Sequence, residues 1–174
     1  MHDLKKLAVD AELISIDPNI RNTLDVLISD YEDHAKLNTI GKFLVYQGLS
    51  KRLKTRLFLE KINSALPPFD QKGPIFVTGL PRSGTSYLFN LLHTHSSLRS
   101  PFTWEIFQAH SIAKNNLDVL IKKIKTRFEL LSINQVVPEL TNIHPMHHHQ
   151  PEECQLITAY DLKSISFAYS ANLP

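Results

Sequence analysis

The sequence predicts an α/β protein in which a helical region over residues 1–70 precedes, over residues 71–174, a parallel-sheet domain built on a strand, a tight glycine loop and a helix. Three observations carry this reading. Apolar residues recur at helical spacing up to Leu66, a compact β-branched and aromatic run follows at residues 75–78, and helical spacing resumes beyond Gly84. With 43% hydrophobic and 21% charged residues, the 174-residue chain has the composition of a globular domain and not of a disordered one.

In the front region Leu4, Leu7, Ala8 and Ala11 make one apolar stripe, and Ile20, Leu24, Leu27, Ile28 and Tyr31 make the next. Asp17 ahead of Pro18 marks a helix start between them, because the aspartate accepts from free amides and proline suits the first helical position. A third helical stretch is expected from about residue 37 to residue 66, interrupted near Gly41 and Gly48, with Lys51, Arg52, Lys54, Arg56 and Lys61 on a solvated face. Pro67 and Pro68 stop it, and residues 70–73 form a linker. The run Ile75, Phe76, Val77, Thr78 reads as a buried parallel strand because it lacks the alternation of a half-exposed one. The following helix carries Leu88, Leu91 and Leu92 on one face. Residues 98–101 are expected to form a second short strand, and residues 104–109 to open a helix. Leu117, Leu120, Ile121, Ile124, Phe128 and Leu131 then recur as an amphipathic helix whose lysines lie on other faces. A loop with His144, Pro145, His147, His148 and His149 leads into Pro151, Glu152 and Glu153, a proline-first, acid-rich helix start.

The loop holds the chemistry. Residues 74–86 read PIFVTGLPRSGTS, so Gly79 and Gly84 have P-loop spacing and Ser86 occupies the hydroxyl position. Thr85 replaces the usual lysine, and a cation, Arg82, stands inside the loop instead. A chain wrapping an anion must point successive amides inward, which asks for backbone freedom that Gly79 and Gly84 supply. The helix opening at about Ser83 adds its positive end, and Ser83, Thr85 and Ser86 add hydroxyl donors. Without the lysine, the loop is poorly suited to moving an ATP γ-phosphoryl group with magnesium.

These residues resemble the 5′-phosphosulfate loop of sulfotransferases, in particular the bacterial-type and tyrosylprotein-like branch, where the loop reads much like G-L-P-R-S-G-T-S. The similarity continues through His95, Ser96, Ser97, Leu98, Arg99, Trp104 and Glu105 to His144, Pro145, Pro151, Glu152, Glu153 and Cys154, roughly the last hundred residues. The resemblance implies sulfuryl transfer from 3′-phosphoadenosine 5′-phosphosulfate to an acceptor hydroxyl or amine, without a metal, on a fold related to nucleotide kinases. Gly79, Arg82, Ser83, Gly84, Thr85 and Ser86 would surround the donor, with Arg82 on the phosphosulfate as a forked, permanently charged group. The cytosolic enzymes carry lysine at that position, so Arg82 agrees with the tyrosylprotein-like branch. Glu105 lies near where that branch places a catalytic glutamate, and His144 is the alternative base. The family's second site, an arginine and a serine holding the 3′-phosphate, is not found in the sequence. The expectation is therefore a parallel sheet and a sulfotransferase domain that are incomplete at their C-terminal part, a fragment with impaired activity.

Composition narrows the partners. Nineteen basic against seventeen acidic residues leave a net charge of +2, no general case for nucleic acid, so any anion site must be local. The acceptor stays open among small molecules, carbohydrates, lipids and peptides. A lone cysteine, Cys154, cannot make an internal disulfide and reads as a small core residue, which with the charged residues among positions 1–13 points to a cytoplasmic protein without an export signal or transmembrane segment. His147, His148 and His149 are consecutive, a poor arrangement for one metal ion. Two rivals stand beside the sulfotransferase reading: an ATP-dependent P-loop phosphotransferase, and a non-catalytic helical binding protein.

Overall fold

The computed structural model describes residues 7, 17–65, 74–80, 83–136, 138–153, 155–164 and 166–167. The chain divides into two compact units, residues 1–65 with 154–174, and residues 66–153.

In the first unit, α1 (Pro18–Asp33) starts where the sequence predicts: Asp17 accepts from the Asn19 amide at 2.7 Å and Pro18 fills the first turn. Its stripe of Ile20, Leu24, Leu27, Ile28 and Tyr31 is buried as a set, and Leu24 is 0% exposed. Full burial of such a leucine contributes about 1.5–3 kcal/mol. The long helix α2 (Thr39–Asn63) is capped by Asn38, whose side chain accepts from Gly41 N at 2.8 Å. The expected interruptions at Gly41 and Gly48 do not occur. A glycine in a helix costs about 1 kcal/mol against alanine, too little to break 25 residues that bury Leu49 and Leu53.

Residues 155–167 complete this core. A short α-helix (Gln155–Thr158) and a 3₁₀ turn (Ala159–Asp161) bring Ala159, Leu162 and Phe167 into the cluster formed by Leu7, α1 and α2. The cations of α2 are less solvated than their spacing implies: Arg52 lies 5.2 Å from the Phe167 ring centre, and Arg56 pairs with Glu60 at 2.8 Å and with Asp161.

The second unit contains the loop. No strand ladder forms among the described residues, so the expected parallel sheet is not seen, and residues 75–78 lie outside helix and strand. A parallel strand needs both faces covered. Here Ile75 is 65% and Phe76 76% exposed, so the run is not covered on both faces. Helix α3 (Thr85–His93) follows the loop as predicted, and α4 (Thr103–Phe107) and α5 (Asn116–Val136) pack on each other. The apolar stripe read on α5 does not face this packing. Thr126 and Leu130 are buried, whereas Leu117, Leu120, Ile121, Ile124, Phe128 and Leu131 stay exposed.

The second strand expected at residues 98–101 is replaced by a single antiparallel bridge between Phe102 and Pro151. Around it Thr103 N donates to Gln150 O and Glu152 N to Pro101 O, each at 3.0 Å. That pairing overrides the helix start predicted at Pro151. A short helix, α6 (Leu140–Ile143), precedes it, and no helix among the described residues is long and apolar enough to cross a membrane.

Candidate functional site

The two glycines of the loop are needed for different reasons. Gly84 is the N-cap of α3 and sits at φ +88°, ψ +13°, the left-handed region that L side chains resist. Gly79 needs space instead of an unusual φ: a Cβ there would come 2.7 Å from Ser83 Oγ and 3.0 Å from Thr85 Cγ2. The chain therefore closes tightly on the Gly79 α-carbon and reverses at Gly84 into the helix, held by Ser83 N donating to Leu80 O at 3.1 Å and Leu88 N to Gly84 O at 3.0 Å. No side chain caps α3. Its first amides and positive end are left to the loop, the condition for taking an anion. Arg82 lies outside the described residues.

A second set of side chains reaches the loop from residues 144–153. Ser86 Oγ donates to Glu153 Oε1 at 2.7 Å. Glu153 N in turn donates to Glu152 Oε1 at 2.9 Å, and the same oxygen lies 3.0 Å from His144 Nε2. Glu152 is only 4% exposed. Its hydrogen bond to His144 is the main reason that the imidazole pKa is raised above the ordinary value, against the burial that lowers it. The carboxylate fixes the proton on Nε2 and leaves Nδ1 as the acceptor. A sequence reading that treats Glu152 and Glu153 as first-turn acids misses this chain of contacts; the signal that could reveal it is a histidine eight residues ahead of a glutamate pair in a loop that must fold back.

Glu105 is engaged elsewhere. Its Oε2 accepts from Phe102 N at 2.9 Å, closing the first turn of α4, and its Oε1 pairs with Arg99. The three consecutive histidines do gather, with ring centres 4.4 Å apart for His147 and His148 and 4.0 Å for His148 and His149. Their planes are tilted by 35° and 44°, so the rings present faces to one another and the in-plane nitrogens do not converge. No group of three or more His, Cys, Asp or Glu side chains among the described residues is placed to hold a metal ion.

Comparisons with known proteins come to bear on this geometry. A family model described as the sulfotransferase family matches residues 74–174, more than half of the chain. The crystal structure of sulfotransferase STF1 from Mycobacterium tuberculosis H37Rv resembles this structure with a TM-score of 0.63 at 21% identity, covering 100% of this chain and 52% of that one. The chain thus spans about half the length of that protein, and at this identity the likeness concerns the fold. A search of curated proteins finds no match.

Proposed function

This chain belongs to the sulfotransferase family, and from that premise we propose that it takes part in sulfuryl transfer from 3′-phosphoadenosine 5′-phosphosulfate to an acceptor hydroxyl or amine. The observation that carries the reading is the loop at residues 79–86, where the chain crowds the Gly79 α-carbon and turns through left-handed Gly84 into an uncapped helix end. Gly79 lets the Ser83 and Thr85 side chains close over the turn, and a loop folded in this way offers backbone amides to the donor's phosphosulfate. The donor supplies the sulfuryl group and a phosphate leaving group.

The residues have separable tasks in this proposal. Amides of the loop and of α3, with the hydroxyls of Ser83 and Thr85, bind the phosphosulfate oxygens, and Arg82 offsets charge building on the leaving phosphate. Ser86 contributes once its hydroxyl turns from Glu153, whose carboxylate it otherwise serves. For the proton of the acceptor, His144 is better prepared than Glu105. Both Glu105 oxygens are committed to Phe102 N and Arg99, whereas His144 keeps Nδ1 free to accept and gains basicity from Glu152. Glu105 then acts as the cap that shapes α4. The acceptor stays within the broad set of small alcohols, carbohydrates, lipids and peptides.

Transfer of ³⁵S label from the donor to an acceptor panel tests the proposal. Wild type is expected to transfer label, and His144→Ala to lower kcat by about a hundredfold or more while leaving the donor KM near its starting value. Because His144 must be neutral to accept a proton, kcat falls on the acid side of its raised pKa, and Glu152→Gln moves that limb to lower pH. Equal kcat in His144→Ala and wild type removes His144 from the reaction. Label that stays on the donor with every acceptor contradicts the activity itself.

A further inference from the structure

Glu153 is placed unlike the ion-paired carboxylates of the chain. Glu60 and Asp161 pair with Arg56, Glu105 with Arg99 and Glu152 with His144. The Glu153 carboxylate pairs with no cation among the described residues, and its Oε1 instead accepts from a neutral hydroxyl, Ser86 Oγ, at 2.7 Å. Ser86 stands in the first turn of α3, a helix that no side chain caps.

The contact is built on a buried anchor. Glu153 N donates to Oε1 of the buried Glu152 at 2.9 Å, and that oxygen also meets His144 Nε2 at 3.0 Å. Glu152 N donates to Pro101 O at 3.0 Å. The peptide that delivers the Glu153 side chain is thus fixed from both ends, and the carboxylate is held at the positive end of α3. An acid in that place stabilises the helix. It also stands where an anion taken by the loop would have to come, so two anions compete for one helix end.

We propose, resting on the sulfuryl-transfer reading of the loop, that Glu153 is a specificity-determining residue: its carboxylate, held at Ser86, repels an entering anion in proportion to that anion's charge and so favours a terminal sulfuryl over a terminal phosphoryl group. The two groups are alike in shape, and the sulfuryl group carries one negative charge fewer. With no cation between them, like charges brought together at a binding site disfavour association, and each further charge on the ligand enlarges the penalty. The ligand must in addition take Ser86 from Glu153, which breaks a charge-assisted hydrogen bond. A carboxylate therefore weakens anion binding in absolute terms while it separates one anion from another.

Calorimetric titration of the full chain with adenosine 5′-phosphosulfate and with ADP separates charge from shape. Both ligands lack a 3′-phosphate, so they read the loop, and they differ in the terminal group. EDTA, constant ionic strength and a mildly alkaline pH keep metal out and the ADP phosphate fully ionised. Wild type is expected to bind the phosphosulfate more tightly than ADP. Glu153→Gln keeps an oxygen for Ser86 and removes the charge: both Kd values fall, that of ADP by about threefold more than that of the phosphosulfate, while the Tm of the ligand-free chain falls as well. A residue that only held the fold would lower Tm and weaken binding together. Glu139→Gln removes the same charge from an exposed carboxylate that makes no hydrogen bond to Ser86, and it leaves the ratio of the two Kd values unchanged. Equal gains for the two ligands, weaker binding in Glu153→Gln, or the same change of ratio in Glu139→Gln overturns the role of Glu153 alone, because the loop still takes a donor-like ligand. Failure of both ligands to bind either wild type or Glu153→Gln overturns the reading of the loop, and the role of Glu153 with it.

Discussion

At Gly84 an added methyl group meets nothing within 4 Å, yet the backbone stands at φ +88°. The two facts separate space from conformation. Gly84→Ala should therefore cost about 1–2 kcal/mol through its backbone alone, read as a lower urea midpoint with an unchanged slope, and it should weaken anion binding at the loop. Gly79→Ala meets the opposite problem, because its Cβ would sit 2.7 Å from Ser83 Oγ, and its effect should be relieved by pairing it with Ser83→Gly. The His144–Glu152 pair makes a pH prediction of its own. The folded-state pKa of His144 is raised, so the pair's contribution to stability is complete below the ordinary histidine value and is lost as pH rises through the raised one. Glu152→Gln should flatten that part of the stability profile, measured as Tm against pH from about 6 to 9. An equal slope in both proteins would place the linkage elsewhere.

The elements differ in how far their residues announce them. Asp17 and Pro18 specify the start of α1 locally, through a 2.7 Å bond to Asn19 N and a fixed φ, so the boundary is legible without any tertiary partner. Asp17→Ala should cost about 0.5–2 kcal/mol, seen as a lower midpoint of the helical signal by circular dichroism, with Asp17→Ser recovering most of it. Residues 75–78 are the contrary case. Their β-branched and aromatic run has strand character, but a ladder depends on neighbours far along the chain, and no local signal supplies them. The stripe of α5 misleads for a similar reason. Helical spacing reveals that Ile121, Ile124 and Phe128 share a face, while which face meets α4 is decided by Thr126 and Leu130, together with Lys122 reaching the carbonyls of Gln108 and Ser111. In the candidate site, the glycine spacing and hydroxyls were readable as a motif. The tie from Ser86 through Glu153 and Glu152 to His144 was not, because it spans 67 residues and arises only when the loop at residues 144–153 folds back.

The chain as a whole joins two units whose boundaries do not follow the family segment. Residues 74–174 match the sulfotransferase family, yet residues 154–174 belong to the same unit as residues 1–65 and put Ala159, Leu162 and Phe167 into its core. Residues 74–174 expressed without the front helices should expose those side chains, giving stronger binding of a hydrophobic dye and lower solubility than the full chain. Equal behaviour of the two would show that the tail needs no front partner. The proposed phosphosulfate cradle between Thr78 and Tyr87 is probed by thermal shift of the full chain with 3′-phosphoadenosine 5′-phosphate, with ATP plus magnesium, and with buffer alone. A raised Tm is expected with the 3′-phosphorylated nucleotide, about 2.7 kcal/mol of added stability at a hundred times Kd, and its loss in Arg82→Ala. A shift with ATP plus magnesium alone, or none with either nucleotide, would contradict it.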